Sequence, residues 1–181
     1  MISRHRALVL DGKRGQADAE ADKWLGSNPQ EIPTRTYLAE QSLQNQQFSK
    51  AAGYYETLVK LQPNNPLLLN NLAYCYQQLK SPKARETAEA ALKLAPNNPA
   101  IMDTLAMIYF DSGNFTATLE LLKRAIDIDK TNLDIRFHYV KALAKSGNKV
   151  AAKKELEWII RTGKAFSYEA EASQLMTLLQ Q

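Results

Sequence analysis

The sequence predicts an all-α chain, a right-handed solenoid of helix–turn–helix hairpins closed by a C-terminal helix. Three observations carry that expectation. The phrase "VKLQPNNP" (59–66) returns as "LKLAPNNP" (92–99), so that Pro96 repeats Pro63. Pro29 of "WLGSNPQ" stands as far before Pro63, to within one position, as Lys130 of "IDIDKTN" stands after Pro96, and the landmark recurs along the whole chain. The interval, a period of about 34 residues, marks a repeat architecture. Within each unit, apolar residues fall at three- and four-residue spacing, the signature of a helix face. Only seven Gly and seven Pro occur, most of them at the junctions between these stripes.

Taken in order, residues 1–31 form a truncated repeat. "ALVLDGKRG" is the end of a first helix and its turn, and Ala17, Ala21, Trp24 and Leu25 mark a second helix. A start inside a helix, directly after Met1, leads us to expect a fragment of a longer array. In 32–65, Tyr37, Leu38 and Leu43 mark one helix, and Phe48, Ala51, Tyr55 and Leu58 the next. In 66–98, Leu69, Leu72, Ala73 and Tyr76 precede a turn that is one residue shorter; Ala84, Ala88, Ala91 and Leu92 follow.

The unit 99–132 is the clearest. Ile101, Leu105, Ile108 and Tyr109 lead to "DSGN", where Gly113 suits the left-handed conformation of a helix C-terminus. Phe115, Leu119, Leu122, Ala125 and Ile126 then form the second stripe, with Ala106 and Ala125 placed where two helices approach closely. In 133–165, Ile135, Tyr139, Ala142 and Leu143 reach "KSGN" with Gly147, followed by Ala152, Leu156 and Ile159. The tail 166–181 predicts a capping helix, with Ser167 as N-cap and Glu169 and Glu171 favouring the positive end of its dipole. Leu175, Leu178 and Leu179 are spaced to cover the region of Leu156 and Ile159, as a solenoid end requires.

These units resemble tetratricopeptide repeats, whose plan is a helix pair with a small residue late in the first helix, a Gly turn, an Ala in the second helix and a closing Pro. "LNNLAYCYQQL", "DTLAMIYFDSGNF" and "AIDIDKTN" carry the resemblance, and it spans nearly the whole chain as one repeat domain. Two departures stand out: Thr118 takes the place of the usual Ala, and Lys130 that of the closing Pro. The run "LNNLAYCYQQLK…ARETAEAALKLAPNNPAIMDTLAMIYFDSGNFTATLELLKRAI…IRFHYVKALAKSGNKVAAKKEL" is further similar to the C-terminal part of bacterial tetratricopeptide lipoproteins of exosortase-type protein sorting and exopolysaccharide production. That resemblance implies a periplasmic or envelope-associated location, the alternative being the cytoplasm.

Composition excludes several function classes. The chain is 45% hydrophobic, which is globular, and its net charge of +4 is only mildly basic. Cys75 is single, so it forms no internal disulfide and does not choose between compartments; its apolar setting reads as a small buried hydrophobe. No stretch approaches the roughly 18 apolar residues of a span, so no membrane crossing is expected in this chain, and the N-terminus does not read as a signal peptide. No metal, cofactor or catalytic site is expected. His5 and His138 lack partner ligands, and "DGKRG" lacks phosphate-loop spacing. Asp127 and Asp129 read as solvated junction residues.

Binding is what remains. Stacked hairpins place their first helices on a concave wall, which nominates Thr36, Glu40 and Gln44; Asn70, Tyr74 and Gln77; Asp103, Met107 and Phe110; and Phe137, Lys141 and Lys145. Some relatives grip a peptide's C-terminal carboxylates with Lys, Arg and Asn. Asn71 matches that pattern, but Thr36, Glu40, Ala100 and Thr104 do not, so such a clamp is not expected. The reading is a scaffold for a protein or peptide partner, with homo-oligomerisation compatible. The alternative, an RNA-binding helical-repeat protein, requires a basic inner wall that Glu40 and Asp103 oppose. No nucleic-acid partner is therefore expected.

Overall fold

The structure, a computed structural model, describes residues 1–180. Among them all regular structure is helical, in eleven α-helices. The chain divides into two compact units, Met1–Ala84 and Arg85–Gln181. The first holds α1 (Ile2–Leu10), α2 (Arg14–Ser27), α3 (Ile32–Gln44), α4 (Phe48–Leu61) and α5 (Pro66–Gln78). Helix α6 (Lys83–Leu94) starts at the end of that unit. The second unit continues with α7 (Pro99–Asp111), α8 (Phe115–Ile128), α9 (Leu133–Lys145), α10 (Lys149–Arg161) and α11 (Glu169–Leu179).

The repeated phrase has a structural meaning. Its second Asn is an N-cap and its last Pro opens a helix: Asn65 Oδ1 accepts from the backbone N–H of Leu67 (3.1 Å) and Leu68 (3.3 Å). Asn98 repeats this with Ala100 (3.0 Å) and Ile101 (3.3 Å). Asn132 caps α9 through Ile135 N–H at 3.1 Å, and Glu31 caps α3 through Thr34 N–H at 2.7 Å. Each cap satisfies N–H groups that a helix start leaves without partners, while Pro at the first turn has no N–H to lose.

The turns inside the hairpins repeat too. Residues 12, 46, 80, 113 and 147 all have positive φ, between 54° and 88°. After each, the chain closes the same pair of bonds; at α7 they run from Gly113 N–H to Phe110 C=O (3.0 Å) and from Asn114 N–H to Tyr109 C=O (2.9 Å). This is the left-handed helix stop that Gly favours. Gly113 and Gly147 fit the expectation, whereas Gln46 and Lys80 hold the same conformation with a side chain.

Small residues set the close helix contacts. Ala106 and Ala125 are fully buried as expected. Thr118, the departure from the Ala pattern, is also fully buried, and its hydroxyl sits 2.8 Å from Asn114 C=O and 3.2 Å from Ala106 C=O. A hydroxyl fits at an alanine position because backbone carbonyls of its own helix and of α7 accept its proton. Tyrosines at matching repeat positions pin helices together. Tyr76 Oη donates to Glu56 Oε1 on α4 at 2.8 Å, and one repeat further along Tyr109 Oη donates to Glu89 Oε1 on α6 at 3.0 Å.

The C-terminal helix covers the last hairpin by a route that differs from expectation. Leu133, Phe137, Val140, Leu143, Ala152, Leu156 and Ile159 form a core with Ala172, and Leu175, Met176 and Leu179 pack on it. Leu178 does not; it is 59% exposed. Ser167 is not the N-cap of α11, which follows Tyr168. Instead Ser167 reaches back to α9, where its N–H and Oγ–H donate to the two carboxylate oxygens of Asp134 at 2.9 and 2.7 Å. The Asp134 carboxylate, in the first turn of α9, accepts both Ser167 donors in charge-assisted bonds, which turns the serine toward α9 and away from the N–H groups of α11.

Candidate functional site

The nominated residues divide by unit. In the first, Glu40 and Gln44 of α3 are exposed and Thr36 is half-buried. On α5, Tyr74 is 38% exposed and meets Phe48 edge-to-face at 6.1 Å, with Asn70 and Gln77 half-buried on the same helix. Among the described residues, the buried Asn70 Oδ1 has no hydrogen-bond partner. Its neighbour Asn71 donates to Tyr55 Oη at 3.2 Å, a structural bond across two helices.

In the second unit the structure corrects Phe137. Expected as a groove anchor, it is fully buried. Its ring stacks on Tyr168 (5.5 Å, 24°) and meets Phe166 edge-on at 5.8 Å. The segment leading into α11 therefore covers the face that a partner would need. Asp103 is also engaged: its Oδ1 lies 2.7 Å from His138 Nδ1, and the His138 ring sits 5.0 Å from Tyr168. His138 is thus a largely buried packing residue tied to a carboxylate, and His5 repeats the pattern between Asp18 (2.9 Å) and Tyr37 (3.1 Å).

Met107, Phe110 and Lys141 remain partly accessible, and Lys145 is exposed. Phe110, Lys141 and Lys145 border a cleft of about 600 Å³ between α7, α9 and α11. Its apolar wall is Phe110, Phe137, Ala144, Leu175, Leu178 and Leu179; Lys141, Lys145, Lys149 and Glu171 supply the charges. Lys141 Nζ donates to Glu171 Oε2 at 3.1 Å across the cleft and lies 5.9 Å from the rings of both Phe137 and Tyr168. A second cleft of about 550 Å³, between α6, α7 and α8, mixes Glu89, Lys93, Glu120 and Arg124 and so favours neither sign of charge.

Sequence reasoning missed Lys149 and the α11 wall, since α11 read only as a cover. It also missed the Asp103–His138 pair, for which a signal existed: a separation just over one repeat places two residues on neighbouring first helices.

Among the described residues no group of three or more His, Cys, Asp or Glu could hold a metal ion, and burial pushes the Cys75 thiol up to about 12, away from the reactive thiolate. What the arrangement offers is surface, an apolar cleft with charges at its edge.

Comparison with known proteins defines the class. Tetratricopeptide repeat models match residues 38–99, 76–132 and 109–177. The chain belongs to the tetratricopeptide-repeat family, whose members are in general non-catalytic scaffolds for protein partners. No curated protein matches it. Among solved structures, a tetratricopeptide repeat protein from Parabacteroides merdae is similar with a TM-score of 0.79 at 15% identity, over 98% of this chain and 70% of the other. A thermophilic repeat protein of Thermus thermophilus gives 0.74 at 16%, over 97% and 96%. YrrB, described as a TPR protein with an unusual peptide-binding site, gives 0.64 at 16%, over 88% and 81%.

Proposed function

We propose that the chain acts by binding a peptide or helix of a protein partner on the surface that α7 and α9, first helices of the second unit, form with α11. The observation that carries this reading is the α7–α9–α11 cleft, where the half-buried Phe110 and the exposed Leu178 leave apolar surface uncovered in a tetratricopeptide-repeat framework. Packed helices hold these side chains in place before a partner arrives, so docking orders little on the scaffold side. YrrB, a structurally similar protein described as having an unusual peptide-binding site, supports such a use. Resemblance of the central repeats to bacterial tetratricopeptide lipoproteins supports a partner within envelope protein sorting or exopolysaccharide assembly, and hence a periplasmic or envelope location.

The test is selection from a displayed random-peptide library against the wild-type chain, followed by rebinding to Met107→Ser/Phe110→Ser. Loss of rebinding with melting within a few degrees of wild type supports the reading. Failure to recover any peptide, or rebinding indifferent to both substitutions, overturns it. Cell fractionation with an antibody to the chain tests location: recovery in the cytosol alone would remove the envelope part of the proposal.

A further inference from the structure

The basic charge of this chain is concentrated in one hairpin. Residues 133–165 contain eight Lys or Arg against three Asp or Glu, a net +5; the whole chain is +4, so everything outside this hairpin sums to −1. Three of those lysines border the cleft between α7, α9 and α11. Lys141 is neutralised by Glu171 at 3.1 Å. Lys145 and Lys149 are exposed and, among the described residues, take part in no ion pair. Two uncompensated cations thus flank an apolar wall on which Leu178 is 59% exposed. Low-dielectric walls lined by one sign of charge focus the field into the cleft.

We infer that this cleft takes an acidic peptide segment, with one or two large apolar side chains against Leu178 and Phe110 and flanking carboxylates paired with Lys145 and Lys149. The inference rests on the scaffold reading above and names the chemistry of its partner. The Lys141–Glu171 bridge closes the inner end to a further carboxylate, so the acidic residues belong on the Lys145–Lys149 side of the apolar anchor. A second copy of the chain is a poor occupant. The acidic run of α2 is already engaged, Asp18 with Lys50 at 3.0 Å, Glu20 with Arg4 and Asp22 with Tyr54.

Two degenerate pools of short peptides test this, identical in their Leu, Ile and Phe positions but carrying Asp/Glu or Lys/Arg elsewhere. Each is passed over immobilised full-length chain at low salt. The acidic pool is expected to be retained at least roughly tenfold better than the basic pool, the gap shrinking as salt screens it. In Lys145→Glu/Lys149→Glu, two exposed sites whose exchange should shift melting by no more than a few degrees, the preference should vanish or reverse. Equal retention of the pools, or an acidic preference that survives the charge reversal, overturns the inference. Retention of the basic pool, lost on Phe110→Asp, also overturns it but leaves the scaffold reading standing; retention of neither pool ends both. A concentration-dependent dimer abolished by Leu178→Asp would assign the cleft to a second copy and likewise overturn it.

Discussion

Replacing Phe137 with Ala separates a core from a binding surface. The ring is fully buried on α9 and contacts Phe166 and Tyr168 of the segment that leads into α11. Truncating a buried Phe costs about 3–5 kcal/mol, and the two ring contacts place this site toward the upper end. Phe110, half-buried and meeting Phe115 edge-on at 5.6 Å, should cost about 1–2 kcal/mol, since much less area leaves water on folding. Repeat arrays depart from all-or-none unfolding, so a local reporter is needed. Trp158 on α10, whose ring lies 4.0 Å from the Arg136 guanidinium of α9, reports on the last hairpin once Trp24 is changed to Phe. With a urea slope of about 2 kcal/mol per molar, Phe137→Ala should lower the Trp158 fluorescence midpoint by roughly 2 M, and Phe110→Ala by less than about 1 M. Equal small shifts for both variants would refute the assignment of Phe137 to the core and return it to the surface.

Other consequences follow from the same geometry. Gly113→Ala should destabilise the chain by about 1 kcal/mol and Lys80→Gly should stabilise it by a similar amount, because both positions have positive φ and no neighbour approaches a Cβ at Gly113; melting temperatures of opposite sign check this. Cys75 should resist alkylation by iodoacetamide in the native chain and react on unfolding, as mass spectrometry would show. The Arg4–Glu20 hydrogen bonds hold the Glu20 carboxyl down at about 2, with Gln16 assisting. Its contribution is therefore complete above the ordinary value near 4.5 and lost as pH falls toward about 2. The difference in melting temperature between wild type and Glu20→Gln should be constant above about pH 5 and vanish near pH 2.

The fold was legible because a repeat writes each rule several times. The period, the stripes and Gly113 and Gly147 located the hairpins and their turns, and "NNP" contains a cap and a helix start in three letters. Gln46 and Lys80 were not legible as left-handed residues, because nothing in their chemistry demands positive φ; the repeat imposes it. The site was harder to read. Phe137 sits in register with the first-helix positions that line a groove, yet Phe166 and Tyr168, far downstream in the chain, cover it. Periodicity reports which helix face is shared between repeats, and a cap that interrupts the repetition changes what that face touches. For the same reason Leu178 read as core and is exposed, and Ser167 read as a cap and bonds Asp134.

Hydrogen–deuterium exchange on the chain with and without a saturating selected peptide tests the central claim most directly. The account predicts slowed exchange confined in the second unit to the C-terminal turns of α7, to α9 around Lys141–Lys145, to the first turn of α10 at Lys149 and to α11, with α8 and the rest of α10 unchanged. Protection confined to α8 and the later turns of α10, or none anywhere while the peptide is bound, would contradict it.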